Sequence, residues 1–522
     1  MASAANATQG ETDPTQQPLA YSSITQSWPV EASDLEKGEL GSVGNSHDGQ
    51  DGTDTPAKVP NLVTWDGPDD PQFPKNWPNG LKWKSTWAVS MFVFISPVSS
   101  AMIAPALQDL AAGLDMHAQV ETYMSLAIFI LAYAVGPILF GPASELYGRK
   151  RLLQASNVWY LAWNLGCGFA QTKGQFFAFR FLAGMGGSAP LALGGGAISD
   201  MWAAEQRGKA MGLYTLGPIL GPVIGPIAGG FVAEYSTWRW VFWSTSIAAV
   251  AVQVVGFLWL EETHPATLLK WKCKRLIKET GNEKLHTEEK DESLLTKIGH
   301  AVFRPVRMFT TQPVVFCISI YMAYLFGVTY LMFATFPDVW TGVYGESQGI
   351  GGLNYLSIAI GSFVGLFLNL KAIDRIYKNL KTKHNGVGQP EYRLPCMMVG
   401  SVITTVGLFW YGWSIGRTHW IMPNIGALIY TAGTISCLQG MQTYIVDSYQ
   451  TYAASALAAA AILRSLAGFG FPLFASYMYD DLGYGWGTSI LAFVSIAIGW
   501  TAPFLFWFFG PKLRAASRFA AS

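Results

Sequence analysis

The sequence predicts an all-α integral membrane protein with twelve transmembrane helices arranged as two six-helix pseudo-repeats. The first observation is composition, because 51% of the 522 residues are hydrophobic and only 13% are charged, against about 25% charged residues in a soluble domain. The second is that apolar runs of about 20 residues, long enough to cross the hydrocarbon of a bilayer, recur along the chain. The third is a long charged segment, 261–312, with six apolar runs on either side.

The chain divides into six regions in order. Residues 1–64 are rich in small polar and acidic residues and are predicted to be a disordered cytoplasmic tail, without a cleaved signal peptide. Residues 65–84 carry prolines and interfacial tryptophans and are predicted to be a membrane-proximal anchor. An N-terminal half (85–260), a cytoplasmic central loop (261–312), a C-terminal half (313–509) and a cytoplasmic C-terminal tail (510–522) follow. The predicted spans are 85–107, 120–140, 152–170, 176–198, 209–233, 240–260, 313–336, 350–370, 394–414, 421–446, 453–476 and 487–509.

Basic residues are distributed unevenly between the predicted loops. They concentrate at 149–151, in the central loop, at 371–393 and near the C-terminus, whereas the opposite loops hold only Lys173, Arg239 and Arg417. Because cytoplasmic loops carry an excess of lysine and arginine, both termini are predicted to be cytoplasmic.

The run from Gly217 to Gly230 repeats glycine and proline every four residues. Its ladder consists of Gly217, Gly221, Gly225 and Gly229 with Pro218, Pro222 and Pro226. In water each proline inside a helix costs about 3 kcal/mol, but hydrocarbon penalises unpaired backbone groups so heavily that a helix is still expected. A glycine stripe lets a second helix approach closely, and we expect that contact to lie between the two halves.

This ladder resembles the fifth-span antiporter motif of drug:proton antiporters in the major facilitator superfamily, and the resemblance covers the chain from Trp65 onward. The entry sequence around Trp65 is similar to that of fungal members. The resemblance implies the major facilitator fold, transport of a small molecule across the bilayer, and protons as the coupling ion.

The segment Gly141–Arg151 resembles the cytoplasmic loop motif of the same superfamily, with Glu145 where many members have aspartate. The resemblance implies that this acid pairs with basic residues at the inner helix ends and holds the outward-facing state. The motif residues are Gly141, Glu145, Gly148, Arg149 and Lys150, and the two glycines fit a tight loop. The alternative is a plain cytoplasmic anchor that only orients the chain.

Two arginines fall inside predicted spans. Arg180 lies about one turn inside the outer end of the fourth span and resembles the fourth-span arginine motif of the family, whereas Arg464 lies near the middle of the eleventh span. An arginine within a span costs about 2.5 kcal/mol or more, so both are expected to face the bundle interior. Snorkelling to the interface is the alternative for Arg180. The acids Glu121, Asp200, Glu234 and Asp447 fall at span ends, where capping the interface is the alternative to carrying protons.

Polar and aromatic residues of the second half are predicted to line a substrate pocket. They are Tyr321, Tyr324 and Tyr330, Asn354, and Gln439, Gln442 and Tyr444. Rings and amides suit a large, planar, largely apolar compound. Ordinary helix packing is the alternative for each residue.

Other functional classes lack support in the sequence. No Gly-Lys-Ser/Thr phosphate loop is present, the seven histidines and five cysteines are dispersed, and the net charge is zero. We therefore expect no ATP-hydrolysing site, no metal or other cofactor, and no nucleic-acid partner. The resemblance implies a secondary active efflux transporter, a monomer in the plasma membrane rather than the vacuolar one, that exports a drug-like compound or a fungal metabolite such as a toxin. A polyamine exporter, a transporter-like nutrient sensor and a polytopic enzyme are the alternatives.

Overall fold

The fold is helical throughout the part of the chain that is described, residues 61–203, 206–288, 293–384, 388–515, 517 and 519 of a computed structural model. Within those ranges the only β-type pairing is one isolated bridge between Leu62 and His286. The predicted all-α class is confirmed. Most of the predicted N-terminal tail, residues 1–60, lies outside the described ranges.

Six long helices form the first half. They are α1 (Asn79–Met102), α2 (Gln119–Tyr147), α3 (Arg149–Phe169), α4 (Lys173–Met201), α5 (Arg207–Tyr235) and α6 (Trp238–Trp259). A short helix, Leu107–Gly113, follows α1 after a break. Helix α1 begins inside the predicted anchor because Pro78 stands just before it and the preceding prolines prevent an earlier start.

The central segment, predicted as a loop, contains two helices, α7 (Pro265–Thr280) and α8 (Leu294–Thr311). The helices of the second half are α9 (Pro313–Asp338), α10 (Tyr355–Lys383), α11 (Leu394–Ser414), α12 (Ile421–Ser448), α13 (Ala453–Ser495) and α14 (Thr501–Ala515). A short helix, Gln348–Leu353, precedes α10.

Ten helical segments among the described residues are long and apolar enough to cross a bilayer, and two features bring the number of spans to twelve. Helix α3 has the length of a span, and the three basic residues of its first turn lower its average hydrophobicity. The stretch Ala453–Ala515 has 63 residues, or about 95 Å of helix, three times the hydrocarbon thickness. Gly483 breaks it with a φ of 71°. Tyr324 touches Phe471 before this break and Leu491 after it, so the chain folds back and crosses twice.

Helix neighbours repeat from one half to the other. In the first half α1 packs against α5, α2 against α4, and α3 against α6. In the second half α9 packs against α13, α10 against α12, and α11 against the chain beyond the break in α13. Two six-helix pseudo-repeats are therefore present, as predicted.

The glycine ladder packs α5 against α1 inside the first half, so the expectation that it joins the two halves was wrong. A Cβ atom on Gly221 would lie 2.6 Å from Cβ of Pro97, and one on Gly225 would lie 2.6 Å from the carbonyl oxygen of Val98. Toward the end of the run α5 also meets the second half, where Gly352 lies against Pro226 and Gly230 lies against Gln348. The backbones of α1 and α5 can approach this closely because the α5 surface lacks side chains there.

Candidate functional site

Arg464 lies between the two halves, surrounded by aromatic rings. It is about eleven residues, roughly 16 Å, into α13, and its guanidinium carbon lies 5.1 Å from the ring centre of Phe326 on α9. Tyr330 of α9, Tyr214 of α5 and Tyr133 of α2 are close enough to act on its charge. Four helices from both halves thus meet at this arginine. We call Arg464 and these four aromatic residues the central site.

The central site is only partly covered although it lies deep in the bundle. Arg464, Phe326, Tyr133 and Tyr214 are each half-buried, whereas Tyr330 is buried. Part of the central site is therefore not covered by neighbouring side chains, at a place where helices of both halves meet.

Arg180, the other arginine within a span, has a different environment. It is fully buried inside the first half, with its guanidinium 4.4 Å from the ring centre of Phe129. Its Nη2 donates to the carbonyl oxygens of Ser99 and Ser100, at 2.8 and 3.0 Å. These carbonyls belong to the last turn of α1, which has no further helical N–H groups to bond them. Arg180 therefore caps α1, and snorkelling is excluded by its burial.

The other predicted pocket residues are scattered rather than gathered at the central site. Tyr321 donates to Sγ of Cys437 at 3.5 Å, and Tyr324 donates to the carbonyl of Leu491; both bonds stay inside the second half. These two tyrosines are buried helix-packing residues. Among the predicted tyrosines of α9 only Tyr330 reaches Arg464.

The predicted amides lie apart from one another in the second half. Asn354 donates to Glu346 at 2.6 Å beside the short helix before α10, and Gln439 accepts from Asn369 at 2.9 Å between α12 and α10. Gln442 is exposed on α12. None of these three contacts the central site in the described structure.

The motif segment Gly141–Arg151 is mostly helical. The tight loop predicted for its two glycines is found at Gly148, and the prediction was wrong for Gly141. Gly141 lies within α2, whereas Gly148 has a φ of 94° between α2 and α3, a conformation that favours glycine. Glu145 forms an ion pair with Lys297 of α8 at 3.5 Å, rather than with the cations of its own segment.

Glu262, which follows α6, holds the turn at Gly148. It accepts hydrogen bonds from the backbone N–H groups of Arg149, at 2.8 Å, and Lys150, at 3.2 Å, and from that of His264, at 3.0 Å. A side chain at Gly148 would collide with this carboxylate. The Arg149 side chain pairs with Asp200 at the end of α4, at 3.3 Å.

The second half has a matching ion pair. Arg393, just before α11, contacts Asp447 of α12 and Asp374 of α10, both at 3.0 Å. Asp447 thus corresponds to Asp200 six spans earlier. It lies in an ion pair at a helix end and does not reach the central site.

Hydrogen bonds join the two halves at the predicted outer end. Tyr123 of α2 donates to Asp338 of α9 at 2.7 Å, and the backbone N–H of Gly349 donates to Glu234 of α5 at 2.7 Å. Gln108 also donates to Asp338, at 3.2 Å. We call this group of contacts the outer seam.

The segment before α1 is fixed to α7 by a buried ion pair. Lys272 and Asp70 are 7% and 2% exposed at their side chains, with Nζ 3.4 Å from the carboxylate. The backbone N–H groups of Asp66 and Gln72, followed by the Lys272 ammonium, hold the pKa of Asp70 below its usual value despite burial. The entry to α1 is therefore attached to the segment that connects the halves.

Sequence reasoning missed two kinds of functional residue. Glu262 had a detectable signal, because two acids and a proline stand directly after the sixth span. Tyr133, Tyr214 and Phe326 had none, because single aromatic residues in apolar runs look the same whether they face lipid, another helix or a cleft.

Known proteins resemble this chain over most of its length. The family described as Major Facilitator Superfamily matches residues 89–472. The efflux pump vrtL of Penicillium aethiopicum is 74% identical over 486 residues, covering 93% of this chain and 97% of that protein. The efflux pump radE of Floropilus chiversii is 40% identical over 465 residues, covering 88% and 86% respectively. The xylose transporter XylE from E. coli, in a partially occluded inward-open conformation, aligns with a TM-score of 0.62 at 16% identity over 83% of this chain and 98% of that one, a likeness of fold alone.

Proposed function

Because the chain belongs to the Major Facilitator Superfamily and is a multi-pass membrane transporter, we propose that it is a secondary active exporter driven by the proton gradient. Its cargo is an aromatic, drug-like compound or fungal metabolite, taken from the cytoplasm. The names of the fungal relatives, both efflux pumps, support export as the direction.

One observation supports the proposal: a polar site where the halves meet is only partly covered while the outer seam is closed. Arg464 and Tyr214 are half-buried, yet Tyr123 and Asp338 join the halves at the predicted outer end. In this proposal the outer seam closes one end and cargo enters from the predicted cytoplasmic end. This is the arrangement that a carrier needs when it loads cargo from inside and then rocks its two halves to release it outside.

The charge at the central site separates this proposal from polyamine export. A polycation would meet the Arg464 guanidinium, and none of the described carboxylates lies beside that guanidinium to attract it. Like charges in a low-dielectric site repel strongly. We therefore favour aromatic cargo without positive charge, released across the plasma membrane.

Inside-out membrane vesicles test the proposal directly. We expect an acidic interior, imposed without ATP, to drive uptake of at least one member of a panel of fluorescent polycyclic aromatic probes. Dissipating the gradient with a protonophore should abolish that uptake, and vesicles without the protein provide the baseline. Uptake that requires ATP, or that persists unchanged without the gradient, contradicts proton coupling.

A further inference from the structure

We propose that Arg464 is the anion-binding group of the substrate site, and that the exported compound carries an ionised oxygen, as carboxylate, phenolate or enolate, on its aromatic skeleton. This inference rests on the proposed function, because it takes the central site to be the place where cargo binds. It goes further in assigning the charge of the cargo.

The guanidinium of Arg464 has donors that the described residues leave unused. An arginine side chain carries five N–H donors and no acceptor. No described residue accepts a hydrogen bond from Arg464, and its Nε is buried without any partner. A buried donor without a partner costs free energy, and a charged one costs more. The missing acceptor is what a bound anion would supply.

The neighbouring hydroxyl groups are already engaged elsewhere. Tyr133 shares a hydrogen bond of 2.6 Å with Ser96, and Tyr214 donates to the carbonyl of Leu191 at 2.9 Å. These bonds hold the two phenol rings in place and engage their hydroxyl groups away from Arg464. The surroundings of Arg464 are therefore flat and aromatic, which suits a fused-ring compound.

Positive charge at the centre of the bundle is not neutralised by the protein. The Arg180 guanidinium lies 4.4 Å from the ring centre of Phe129, which packs on Tyr133 with ring centres 5.5 Å apart, so a second positive charge lies near the central site. The inner-end acids of the described chain already have partners of their own, as Asp200 pairs with Arg149 and Asp447 pairs with Arg393. An anion entering the central site thus meets an uncompensated positive field.

The two arginines nevertheless differ in availability. Arg180 is fully buried inside the first half, where its Nη2 donates to two backbone carbonyls of α1 and its Nε and Nη1 have no partner among the described residues, whereas Arg464 is half-buried where the two halves meet. The planar guanidinium group of Arg464 can therefore donate two parallel hydrogen bonds to a carboxylate, a geometry that lysine cannot reproduce.

A matched set of three fluorescent probes tests the assignment by binding to the purified full-length protein at pH 7.5. Anthracene-9-carboxylate, its methyl ester and 9-(aminomethyl)anthracene share one ring system and differ in charge. We expect the wild type to bind the carboxylate at least tenfold more tightly than the ammonium compound. Arg464→Met should raise the Kd of the carboxylate at least tenfold and leave that of the ester within about twofold. Arg464→Lys should retain part of the preference.

Two controls exclude a general effect of charge removal and misfolding of the Arg464→Met variant. Arg417→Met removes the same charge from an exposed position that stacks on Trp413, and it should leave the preference unchanged. Retained binding of the ester shows that Arg464→Met is folded. Equal wild-type affinity for carboxylate and ammonium, no binding of the carboxylate, or an unchanged preference in Arg464→Met would each overturn the inference. Binding that behaves as expected in a protein whose vesicles ignore the pH gradient would instead refute the proposed function alone.

Discussion

Replacing Gly225 with alanine should destabilise the transporter, although the same change is favourable in most helices. The new Cβ atom would lie 2.6 Å from the carbonyl oxygen of Val98 and 3.1 Å from the backbone nitrogen of Met102. Both atoms belong to the backbone of α1, so no side chain can rotate away. The two helices must separate locally by up to about 1 Å to restore van der Waals contact.

The size of the effect follows from two opposing terms. Glycine to alanine inside a helix gains about 1 kcal/mol from propensity. Overpacking a close contact costs typically 1–3 kcal/mol, and here the cost includes dispersion contacts along the α1–α5 interface. We expect a net loss of up to about 2 kcal/mol for Gly225→Ala and a larger loss for Gly225→Leu.

Gly212 of the same helix provides the control, because a Cβ atom there would meet nothing within 4 Å. Thermal unfolding of the detergent-purified variants should therefore show opposite signs, with a lower Tm for Gly225→Ala and an equal or higher Tm for Gly212→Ala. Export of the panel probes should decline only in the first. Equal Tm values in the two variants would show that the helix contact is looser than the structure describes.

Three further predictions concern contacts outside the ladder. Glu262→Gln should lower the free energy of unfolding by about 1–3 kcal/mol, measured by thermal unfolding, because charge-assisted bonds to backbone N–H groups weaken; an unchanged Tm would contradict this. Tyr123→Phe removes the hydrogen bond to Asp338 and should raise the population with an open outer seam about fivefold. Spin labels on the two halves at that end should report a longer distance, and an unchanged distance distribution would show that this hydrogen bond does not hold the seam closed. The pKa of Asp70 is lowered in the folded protein, so the stability it contributes is complete above an unfolded pKa of about 3.9 and is lost as the pH falls through the lower folded value. Asp70→Asn should thus be less stable than wild type at pH 6, and the difference should shrink toward pH 3; a difference independent of pH would show that the ion pair with Lys272 does not carry it.

Some features of the site follow from local chemistry and could be read from the sequence. Arg464 was predicted to face the bundle interior because the cost of an arginine in hydrocarbon leaves few other places for it. A tight loop was predicted for both glycines of the motif segment, and it forms at Gly148 but not at Gly141. In both cases the physical constraint acts on the residue itself, whatever its neighbours are.

Other predictions required knowledge of which helix lies beside which. The glycine ladder signals a close helix contact, but whether that contact joins the halves or lies within one depends on the pairing of α5 with α1. Tyr321 and Tyr324 share a helical face in the sequence, yet that face packs against Cys437 and Leu491 of their own half. Periodicity identifies a face, and it does not identify what covers the face.

The sequence by itself determined the membrane class, the number of spans, the two-half organisation and the presence of a charge in the bilayer interior. These depend on hydrophobic length, a sum over local residues that needs no knowledge of contacts. Only the tertiary structure decided that Arg180 caps α1 while Arg464 lies half-buried where the two halves meet. Two arginines in apolar spans carry the same local cost, and what separates them is whether acceptors from distant segments, such as the carbonyls of Ser99 and Ser100, reach them in the folded bundle.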